Sequence, residues 1–425
     1  MTRRAALDTA SLAEIETRLA ATDELLATGY PGDDGRRQPI HTLYMPGDRY
    51  APRVPAAMGE AALEAAGGIS GLAALAQKLG LQNPGNLAEL VAAKLQSEPI
   101  EDLRLDFEDG YGNRSDEEED AAVIQAAREV ATAVAEGIAP PFIGIRFKCF
   151  EAPTRDRGVR TLDLFISELV SMGPLPEGLV LTLPKVTTVA QVEAMVFICE
   201  KLEEAHNLPA GRLRFEVQME TPQLILSHEG KVPSAALIHA GAGRVSSLHY
   251  GTYDYSASLG IAAAYQSMEH PAADYAKNVM QVAIAGTGVH MSDGSTNILP
   301  LGDPEAMDAA WALHARLVRR HLERGIYQGW DLHQNQLATR YLATYAFYRE
   351  GFAAAATRLR NYVHKIESAI MDEPATAKAL ANFIRRGLIC GALTEAEITA
   401  QAEVSLTTLE AIALARATQT EDSHV

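Results

Sequence analysis

The amino-acid sequence predicts an α/β protein, a (β/α)8 TIM barrel with an N-terminal helix and a C-terminal helical extension. Eight short apolar segments alternate with helical patterns, and most follow one another at roughly 30 to 40 residues, the period of such a barrel. Charged side chains stand at the ends of most of these segments. No Gly-rich phosphate turn follows the first segment, although a doubly wound open sheet would usually have one there. The barrel is therefore favoured over the open sheet.

The composition is that of a globular protein that does not bind polyanions. The chain has 425 residues, of which 47% are hydrophobic and 22% are charged. Acidic residues outnumber basic residues by 55 to 37, which gives a formal net charge of −18. This excess argues against a nucleic-acid or anionic-membrane surface, although a local basic pocket for a phosphate is compatible with it.

Cysteine usage and the lack of long apolar segments predict a cytoplasmic protein. Cys149, Cys199 and Cys390 lie far apart and form no CxxC pair, so neither a disulfide framework nor a zinc site is expected. The N-terminal stretch MTRRAALDTASLAEIETRLAA contains Asp and Glu where a signal peptide needs an apolar core. No run of about 18 apolar residues occurs, so we expect no membrane span.

Each element is indicated by a local signal. A helix is predicted at residues 12–27, where Leu and Ile recur at helical spacing after Ser11 as a cap. The strands are predicted at residues 39–45, 102–107, 142–147, 178–183, 214–218, 245–250, 287–291 and 325–332. Further helices are predicted at 55–97, 336–365, 375–386 and 394–415. The predicted domains are an N-terminal helical extension (1–37), a TIM barrel catalytic domain (38–335) and a C-terminal helical or lid region (336–425).

Two neighbouring strands are each followed by a carboxylate. Glu220 ends the fifth strand, which Pro222 stops because proline cannot donate to a strand ladder. Asp254 follows the sixth strand, beyond the strand-breaking Gly251. Because the ends of consecutive barrel strands face the same mouth, the two carboxylates are predicted to bind Mg²⁺, or alternatively Mn²⁺. The simpler alternative is that Glu220 caps a helix and Asp254 is a solvated turn residue.

Charged residues after other strands are candidates for contacts with a substrate. Arg146 ends the third strand and would place its guanidinium against a developing oxyanion of a 2-oxo acid. Glu108 and Asp109 follow the second strand, where they would hold metal-bound water; we assign Asp109 to catalysis and Glu108 to substrate binding. Lys185 follows the fourth strand and is predicted to contact a substrate carboxylate, with a Schiff-base role as the alternative.

Seven short motifs, in this order, resemble those of a known enzyme family. They are PGDR at 46–49, LDFEDG at 105–110, the Arg of GIRF at 146, LPK at 183–185, MET at 219–221, YGTYD at 250–254 and SDG at 292–294. The set resembles the HpcH/HpaI aldolase/citrate lyase family, which includes citrate lyase β-subunit-like and malyl-CoA lyase-like proteins and is related to malate synthase. The resemblance implies a TIM barrel with Mg²⁺ on Glu220 and Asp254.

The resemblance also implies a reaction. It implies that a carbon–carbon bond is cleaved or formed between a 2-oxo acid (pyruvate, glyoxylate or oxaloacetate) and an enolate, often that of an acyl-CoA thioester, with Arg146 stabilising the enolate. Arg49 would then bind a CoA phosphate, and a surface salt bridge is its alternative. Two other interpretations stay open: a CoA-independent 4-hydroxy-2-oxo acid aldolase, and a non-catalytic barrel used for ligand sensing.

The segment IMDEPATAKALANF at 370–383 resembles the family's lid segment. In that lid an Asp reaches the site of a neighbouring subunit and acts as the base, and Asp372 is the matching residue. The resemblance therefore implies a homo-oligomer, a trimer or a hexamer. The alternative is that Asp372, followed by Pro374, simply caps a helix.

Overall fold

The structure, a computed structural model that describes residues 6–366 and 372–415, is the predicted TIM barrel. Eight parallel strands form its wall, in the order β7-β6-β5-β4-β3-β2-β1-β8. They are β1 His41–Pro46, β2 Asp102–Asp106, β3 Phe142–Arg146, β4 Leu181–Leu183, β5 Phe215–Met219, β6 Val245–Tyr250, β7 His290–Ser292 and β8 Gly329–Asp331. An isolated parallel bridge between Ser292 and Gln328 joins the two ends of the sheet, so the ring closes.

Helices surround the barrel and extend beyond it. Those from α1 to α8 are Thr9–Gly29, Val54–Ala65, Gly68–Lys78, Pro84–Ser97, Asp116–Ala135, Arg155–Met172, Val189–His206 and Pro233–Ala240. Those from α9 to α15 are Thr252–Ser258, Pro271–Ile284, Pro304–Glu323, Leu337–Val363, Pro374–Ile389, Glu395–Ala402 and Leu406–Ala413. The predicted helical region at 55–97 is therefore three helices, α2 to α4, broken at its glycine and Asn-Pro-Gly sites.

Six strands are shorter than predicted, β1, β2 and β3 by one residue each and β4, β7 and β8 by two to five residues. β4, β7 and β8 each span three residues, and the chain before β4 and before β8 makes a single bridge instead of a continuous ladder. Before β8, Gly325 has φ +76° and reverses the chain after α11, so the predicted strand cannot begin there. The shorter strands do not move the strand ends, where the candidate site residues lie.

The two faces of the barrel strands differ in chemistry. Side chains that point outward to the helices are apolar and almost fully buried, and they include Leu103, Leu105, Ile143, Ile145, Leu181, Leu183, Val217 and Leu248. The barrel interior is polar. Arg104 Nη2 donates to Asp102 Oδ2 at 2.9 Å and lies 3.1 Å from Glu216 Oε2, while Glu216 Oε1 accepts from Thr182 at 2.6 Å. Gly144 leaves space for the Val180 carbonyl, which accepts from Arg104 Nη1, since a Cβ there would lie 1.7 Å from that oxygen and 2.8 Å from Arg104 Nη1.

The C-terminal helices form a second apolar cluster on the side of the barrel. The first part of α12 packs Tyr341 and Tyr345 into the barrel core. Its second part packs Phe352 and Leu359 with residues of α13, α14 and α15. Because one continuous helix belongs to both clusters, the C-terminal region is held against the barrel.

The N-terminal helix α1 buries none of its residues, although its Leu and Ile recur at the predicted helical spacing. The side chains of Leu12, Ile15 and Leu19 are exposed. Asp8 accepts a hydrogen bond from the backbone N–H of Ser11 and caps the helix. In the described ranges no helix has the length and hydropathy needed to cross a membrane.

Buried His321 is expected to make folding sensitive to acid. Its Nδ1 lies 2.6 Å from the carbonyl oxygen of Ile326 and its Nε2 lies 2.8 Å from Arg340 Nη1, so the neutral ring accepts from Arg340. Burial, and then the charge of Arg340, lowers the pKa of His321 to about 3. The unfolded chain keeps a histidine pKa of about 6.5, so it binds more protons below that pH and stability falls as the pH drops.

We therefore expect the free energy of unfolding of His321→Gln, measured in urea between pH 6.5 and pH 5, to change less with pH than that of the wild type. The difference in slope should be up to about 1.4 kcal/mol per pH unit. Other buried groups titrate in both proteins, so the comparison isolates His321. Equal slopes for the two proteins would contradict the assignment.

Candidate active site

A cavity of about 420 Å³ lies at the C-terminal mouth of the barrel. Its lining comes from the ends of several strands and from the loops that follow them. The lining residues are Tyr44, Met45, Pro46, Asp106, Asp109, Gly110, Arg146, Glu220, Gly251, Thr252, Tyr253, Asp254, Ser295, Trp330 and Leu332. Four predicted site residues, namely Asp109, Arg146, Glu220 and Asp254, thus share one cavity.

Arg146 is held in a fixed orientation at the end of β3. Its Nε donates to Asp106 Oδ1 at 2.7 Å and its Nη2 to Asp106 Oδ2 at 2.6 Å, a two-point contact. The guanidinium also lies over the rings of Tyr44 and Trp330, 5.0 and 5.5 Å from their centroids. Burial disfavours the charge, but Asp106 outweighs it and the pKa of Arg146 is raised, so the side chain stays cationic. Its remaining Nη1 faces Gln218 and Glu108 only at 3.5 Å.

Glu220 is buried, and its carboxylate is fixed by the backbone. The N–H of Lys185 donates to Glu220 Oε1 at 2.6 Å, and Lys185 adopts φ +48°, a left-handed conformation that is uncommon for a residue with a side chain. Gly251 leaves space beside it, because a Cβ there would lie 2.7 Å from Glu220 Oε2. Burial, and then the nearby charge of Asp254, raises the pKa of Glu220 to about 8. The fold therefore holds Glu220 near Asp254 although burial and the charge of Asp254 both disfavour its ionised form.

This donor set fits a hard divalent cation that keeps several ligands of its own. Within residues 6–366 and 372–415 no cluster of three or more His, Cys, Asp or Glu side chains could hold a metal ion. Glu220 and Asp254 are a pair, and Mg²⁺ is often bound by one or two carboxylates with water and substrate in the other positions. A cation between them would also relieve the mutual repulsion that raises the pKa of Glu220.

Glu108, Asp109 and Lys185 form an ionic cluster beside the cavity. Lys185 Nζ lies 2.5 Å from Glu108 Oε1 and 2.8 Å from Asp109 Oδ1. Burial favours the neutral form of each acid, and for Asp109 the hydrogen bond from Lys185 prevails and lowers its pKa. For Glu108 burial prevails and the pKa is raised. The pKa of Lys185 is raised by both acids against its own burial, so the amine is protonated. A Schiff base needs a neutral amine, which makes Lys185 a charged contact and not a nucleophile.

Like Glu108 and Lys185, two further predicted site residues lie outside the cavity lining. Arg49 follows β1 on a short 3-10 turn, is exposed, and stands three residues beyond Pro46, which does line the cavity. Asp372 is half-buried before α13 and pairs with Arg358 of α12, with Oδ1 2.5 Å from Arg358 Nη2. The side chain of Asp372 makes no capping hydrogen bond to α13, whose cap residue is Glu373.

Two other charged strand-end residues have structural partners. Asp293 is buried, with its carboxylate 2.9 Å from Lys277 Nζ of α10. The His333 ring accepts from the backbone N–H of Asn335 at 3.1 Å and caps the turn before α12. Neither of them lines the cavity.

Sequence reasoning missed three residues of the cavity wall. Asp106 is the partner of Arg146, whereas the acids singled out in LDFEDG were those that follow the strand. Tyr44 and Trp330 form the aromatic wall beneath the guanidinium. Alternation along β2 was the available signal, because inward-facing Asp102 and Arg104 put Asp106 on the inward side too.

Solved structures that match this chain include a citrate lyase, a protein named CitE and a malate synthase. A citrate lyase from Burkholderia xenovorans LB400 matches with a TM-score of 0.56 at 18% identity, over 87% of this chain and 98% of that one. CitE from Mycobacterium tuberculosis, in complex with magnesium, acetoacetate and coenzyme A, matches with a TM-score of 0.48 at 16% identity, over 83% and 99%. A lead(II) complex of Haloferax volcanii malate synthase matches with a TM-score of 0.48 at 14% identity, over 88% and 92%.

These comparisons confirm the predicted resemblance at the level of the fold, on the likeness to the B. xenovorans citrate lyase. A search of curated protein sequences found no match. The family described as "Domain of unknown function (DUF6986)" matches residues 19–417, from α1 through the barrel to the last helices. The chain therefore belongs to the DUF6986 family, and it has the TIM-barrel fold of the citrate lyases.

Proposed function

We propose that the protein is a Mg²⁺-dependent carbon–carbon lyase or aldolase. It would cleave or form the bond between a 2-oxo acid and an enolate, that of an acyl-CoA thioester. The observation that carries the proposal is the cavity in which an acidic pair, buried Glu220 and half-buried Asp254, shares the barrel mouth with a fixed guanidinium, that of Arg146. The fold shared with a citrate lyase agrees with it.

In this proposal Glu220 and Asp254 hold the Mg²⁺. When bound, the ion supplies a Lewis acid that draws the carboxylate and keto oxygens of a 2-oxo acid together. The backbone N–H of Lys185 donates to Glu220 Oε1 at 2.6 Å and keeps this carboxylate oriented. The charged cluster of Glu108, Asp109 and Lys185 would orient water and the substrate carboxylate at the rim.

Arg146 would stabilise the oxygen on which negative charge develops. Asp106 takes up Nε and Nη2, so Nη1 is the donor left for an oxyanion, and its protein contacts at 3.5 Å are weak. The rings of Tyr44 and Trp330 cover the guanidinium and limit its access to water. The attraction between the guanidinium and a developing oxyanion is stronger in such a site than it would be in bulk water.

Enolate formation requires a base that removes a proton from the carbon next to the carbonyl group. We propose that the carboxylate of Asp372 from a neighbouring copy is this base, in a trimer or hexamer. In the single chain the Asp372 carboxylate pairs with Arg358 of α12, and in the proposed assembly it would leave that pair for the site of a neighbouring copy. The side chain of Arg358 is 36% exposed and that of Asp372 only 6%, so movement of Asp372 to another copy would have to break a largely buried ion pair.

Asp372→Asn is expected to lower kcat by about 10²-fold or more, as loss of a general base does. Arg358→Gln is the matched control, since it breaks the same ion pair but keeps the carboxylate, and it should retain activity. Mixing Asp372→Asn subunits with Glu220→Gln subunits should restore part of the activity if the base acts between copies. Equal losses of kcat in Asp372→Asn and Arg358→Gln would show that the ion pair, and not the carboxylate as a base, is what activity requires.

Arg49 is proposed to contact a phosphate of the CoA thioester at the rim. Because the side chain is exposed, its loss should cost about 1 kcal/mol, a roughly fivefold rise in KM for the acyl-CoA with kcat unchanged. Arg18→Gln, which removes another exposed arginine, on α1, should leave KM unchanged. A fall in kcat, or an unchanged KM, in Arg49→Gln would remove Arg49 from the binding site.

The decisive experiment measures enolate formation directly. The protein is incubated in D2O with Mg²⁺ and either acetyl-CoA or pyruvate, and loss of the methyl proton signal is followed by NMR, with EDTA as the control. Exchange in acetyl-CoA supports the thioester reaction, while exchange in pyruvate alone supports the CoA-independent aldolase. Absence of exchange in both, and of cleavage products with malyl-type and 4-hydroxy-2-oxo substrates, would overturn the proposed function.

A further inference from the structure

A second polar cavity lies at the opposite, N-terminal mouth of the barrel. It has a volume of about 150 Å³, and side chains from the start of β5 and β6 line it together with the chain segment that precedes β1. It shares no lining residue with the candidate active site. This mouth of a TIM barrel ordinarily serves stability, so buried polar groups there without partners need an explanation.

Arg214 brings an uncompensated charge to this cavity. It precedes β5 and lies two residues before Glu216, so it is on the inward side of the barrel wall. Across the described part of the chain its guanidinium forms no ion pair, and its buried Nε has no hydrogen-bond partner. A half-buried cation without a counter-charge is costly, which favours a bound anion.

The other arginines around this cavity are already engaged. Arg36 pairs with Asp34, and Arg37 Nη2 lies 2.5 Å from Glu98 Oε1. Arg212 donates to two backbone carbonyl oxygens of the loop that precedes β4. The guanidinium at position 214 is therefore the one with donors to spare.

A β-bulge adds two hydroxyl groups to the same cavity. The pairing of β5 with β6 shifts register between Phe215 and Glu216, so the pairing skips Ser246. Ser246 and Ser247 both line the cavity, and neither buried Oγ has a hydrogen-bond partner. Ser247 is only 6% exposed, so its hydroxyl must find its partner inside the cavity.

A neutral imidazole completes the set of unused polar atoms. His249 is 1% exposed and lines the cavity, and its buried Nδ1 has no partner. Its Nε2 lies 3.1 Å from Glu216 Oε2, without the alignment of a hydrogen bond. The ring can therefore place one N–H toward a ligand.

Four acids line this cavity: Asp34 pairs with Arg36, Glu177 is exposed, and Asp102 and Glu216 are occupied by groups of the barrel interior. Asp102 Oδ2 accepts from Thr42 at 2.8 Å and from Arg104 at 2.9 Å. Glu216 accepts from Thr182 at 2.6 Å and lies 3.1 Å from Arg104. Their charges are thus shared within the network, while the unused groups that face the cavity are mainly donors.

We propose that this cavity is a binding site for a compact oxyanion of the phosphate or carboxylate class, held by Arg214, Ser246 and Ser247. The guanidinium and the two hydroxyls provide converging donors, and the volume admits an ion of that size but not a nucleotide. None of these residues belongs to the proposed catalytic machinery. The inference therefore stands independently of the proposed function.

Thermal unfolding of the full chain in inorganic phosphate, at constant ionic strength, tests the site. Wild-type protein should show saturable stabilisation. Arg214→Gln should weaken phosphate binding by at least about tenfold, while its own stability without phosphate stays equal to or above that of the wild type, because an unpaired charge is removed. Arg146→Gln should keep the phosphate effect, which excludes binding at the other mouth.

Further arms make the outcome decisive. Ser247→Ala removes one donor with little change of volume and should weaken binding about three- to tenfold, so it serves if Arg214→Gln does not fold. Acetate is run in parallel; protection by acetate as well as phosphate would identify a carboxylate-compatible site, and protection by phosphate alone a tetrahedral one. The proposal would be overturned if neither anion gave saturable protection up to tens of millimolar. It would also be overturned if Arg214→Gln and Ser247→Ala were protected as strongly as the wild type.

Discussion

Glu220→Gln is expected to abolish tight Mg²⁺ binding and to lower kcat by about 10³-fold or more, since a Lewis-acid contribution of several kcal/mol is lost. The pair of Glu220 and Asp254 supplies the two charged oxygen ligands of the proposed site, and an amide in place of one of them leaves too little charge for Mg²⁺. Titration calorimetry with Mg²⁺ and steady-state kinetics measure the two effects.

Glu220→Gln is also expected to change the stability of the metal-free protein. Measuring that stability distinguishes loss of a metal ligand from damage to the fold. The pKa of Glu220 is raised to about 8, above the unfolded value of about 4.5. The contribution of its protonation to the free energy of unfolding is therefore full below pH 4.5 and is lost as the pH rises through 8. Glu220→Gln should remove that decline while keeping the fold. Asp254→Asn should also lose Mg²⁺. A Glu220→Gln protein that binds Mg²⁺ as the wild type does would remove the metal site from this cavity.

Arg146→Lys is expected to lower kcat by about 10²- to 10³-fold with little change in Mg²⁺ affinity. A lysine keeps the charge, but it cannot make the two-point contact with Asp106 at 2.7 and 2.6 Å and still present a donor to the substrate. Asp106→Asn is the matched control, because the guanidinium remains and only its orientation is loosened. We expect a loss of about tenfold there.

Stability provides an independent check on the same pair. Both side chains are buried, so leaving Asp106 without its full partner in Arg146→Lys should destabilise the protein by roughly 3 kcal/mol. Urea unfolding in the absence of ligand measures this. Wild-type activity in Arg146→Lys would contradict the assigned role, whereas a loss of activity that merely follows the unfolded fraction would assign Arg146 to stability alone.

Local patterns were sufficient to predict the barrel and the position of its candidate site. Short apolar segments at barrel spacing predicted eight parallel strands, and the structure has them. Parallel strands of one barrel end at the same mouth, so Arg146, Glu220 and Asp254 could be expected together although they are far apart in the chain. This inference needs only the direction of each strand and the residue at which it ends, and local sequence patterns predict both.

Pairings between distant residues were decided only by the folded chain. LDFEDG offers three acids, and the pleat of β2 together with its register against β3 selects Asp106 as the partner of Arg146. The exposed position of Arg49 and the pairing of Asp372 with Arg358 likewise depend on how the loops and the C-terminal helices pack.

The cavity at the N-terminal mouth shows the same division most clearly. Arg214 and Ser247 are unremarkable in sequence, as a basic and a small polar residue next to predicted strands. A one-residue register shift between β5 and β6 brings both serines of this edge to the cavity beside the guanidinium. Composition and periodicity specify which residues enter a strand, but the partner across the barrel is fixed by register and closure, which are properties of the whole ring.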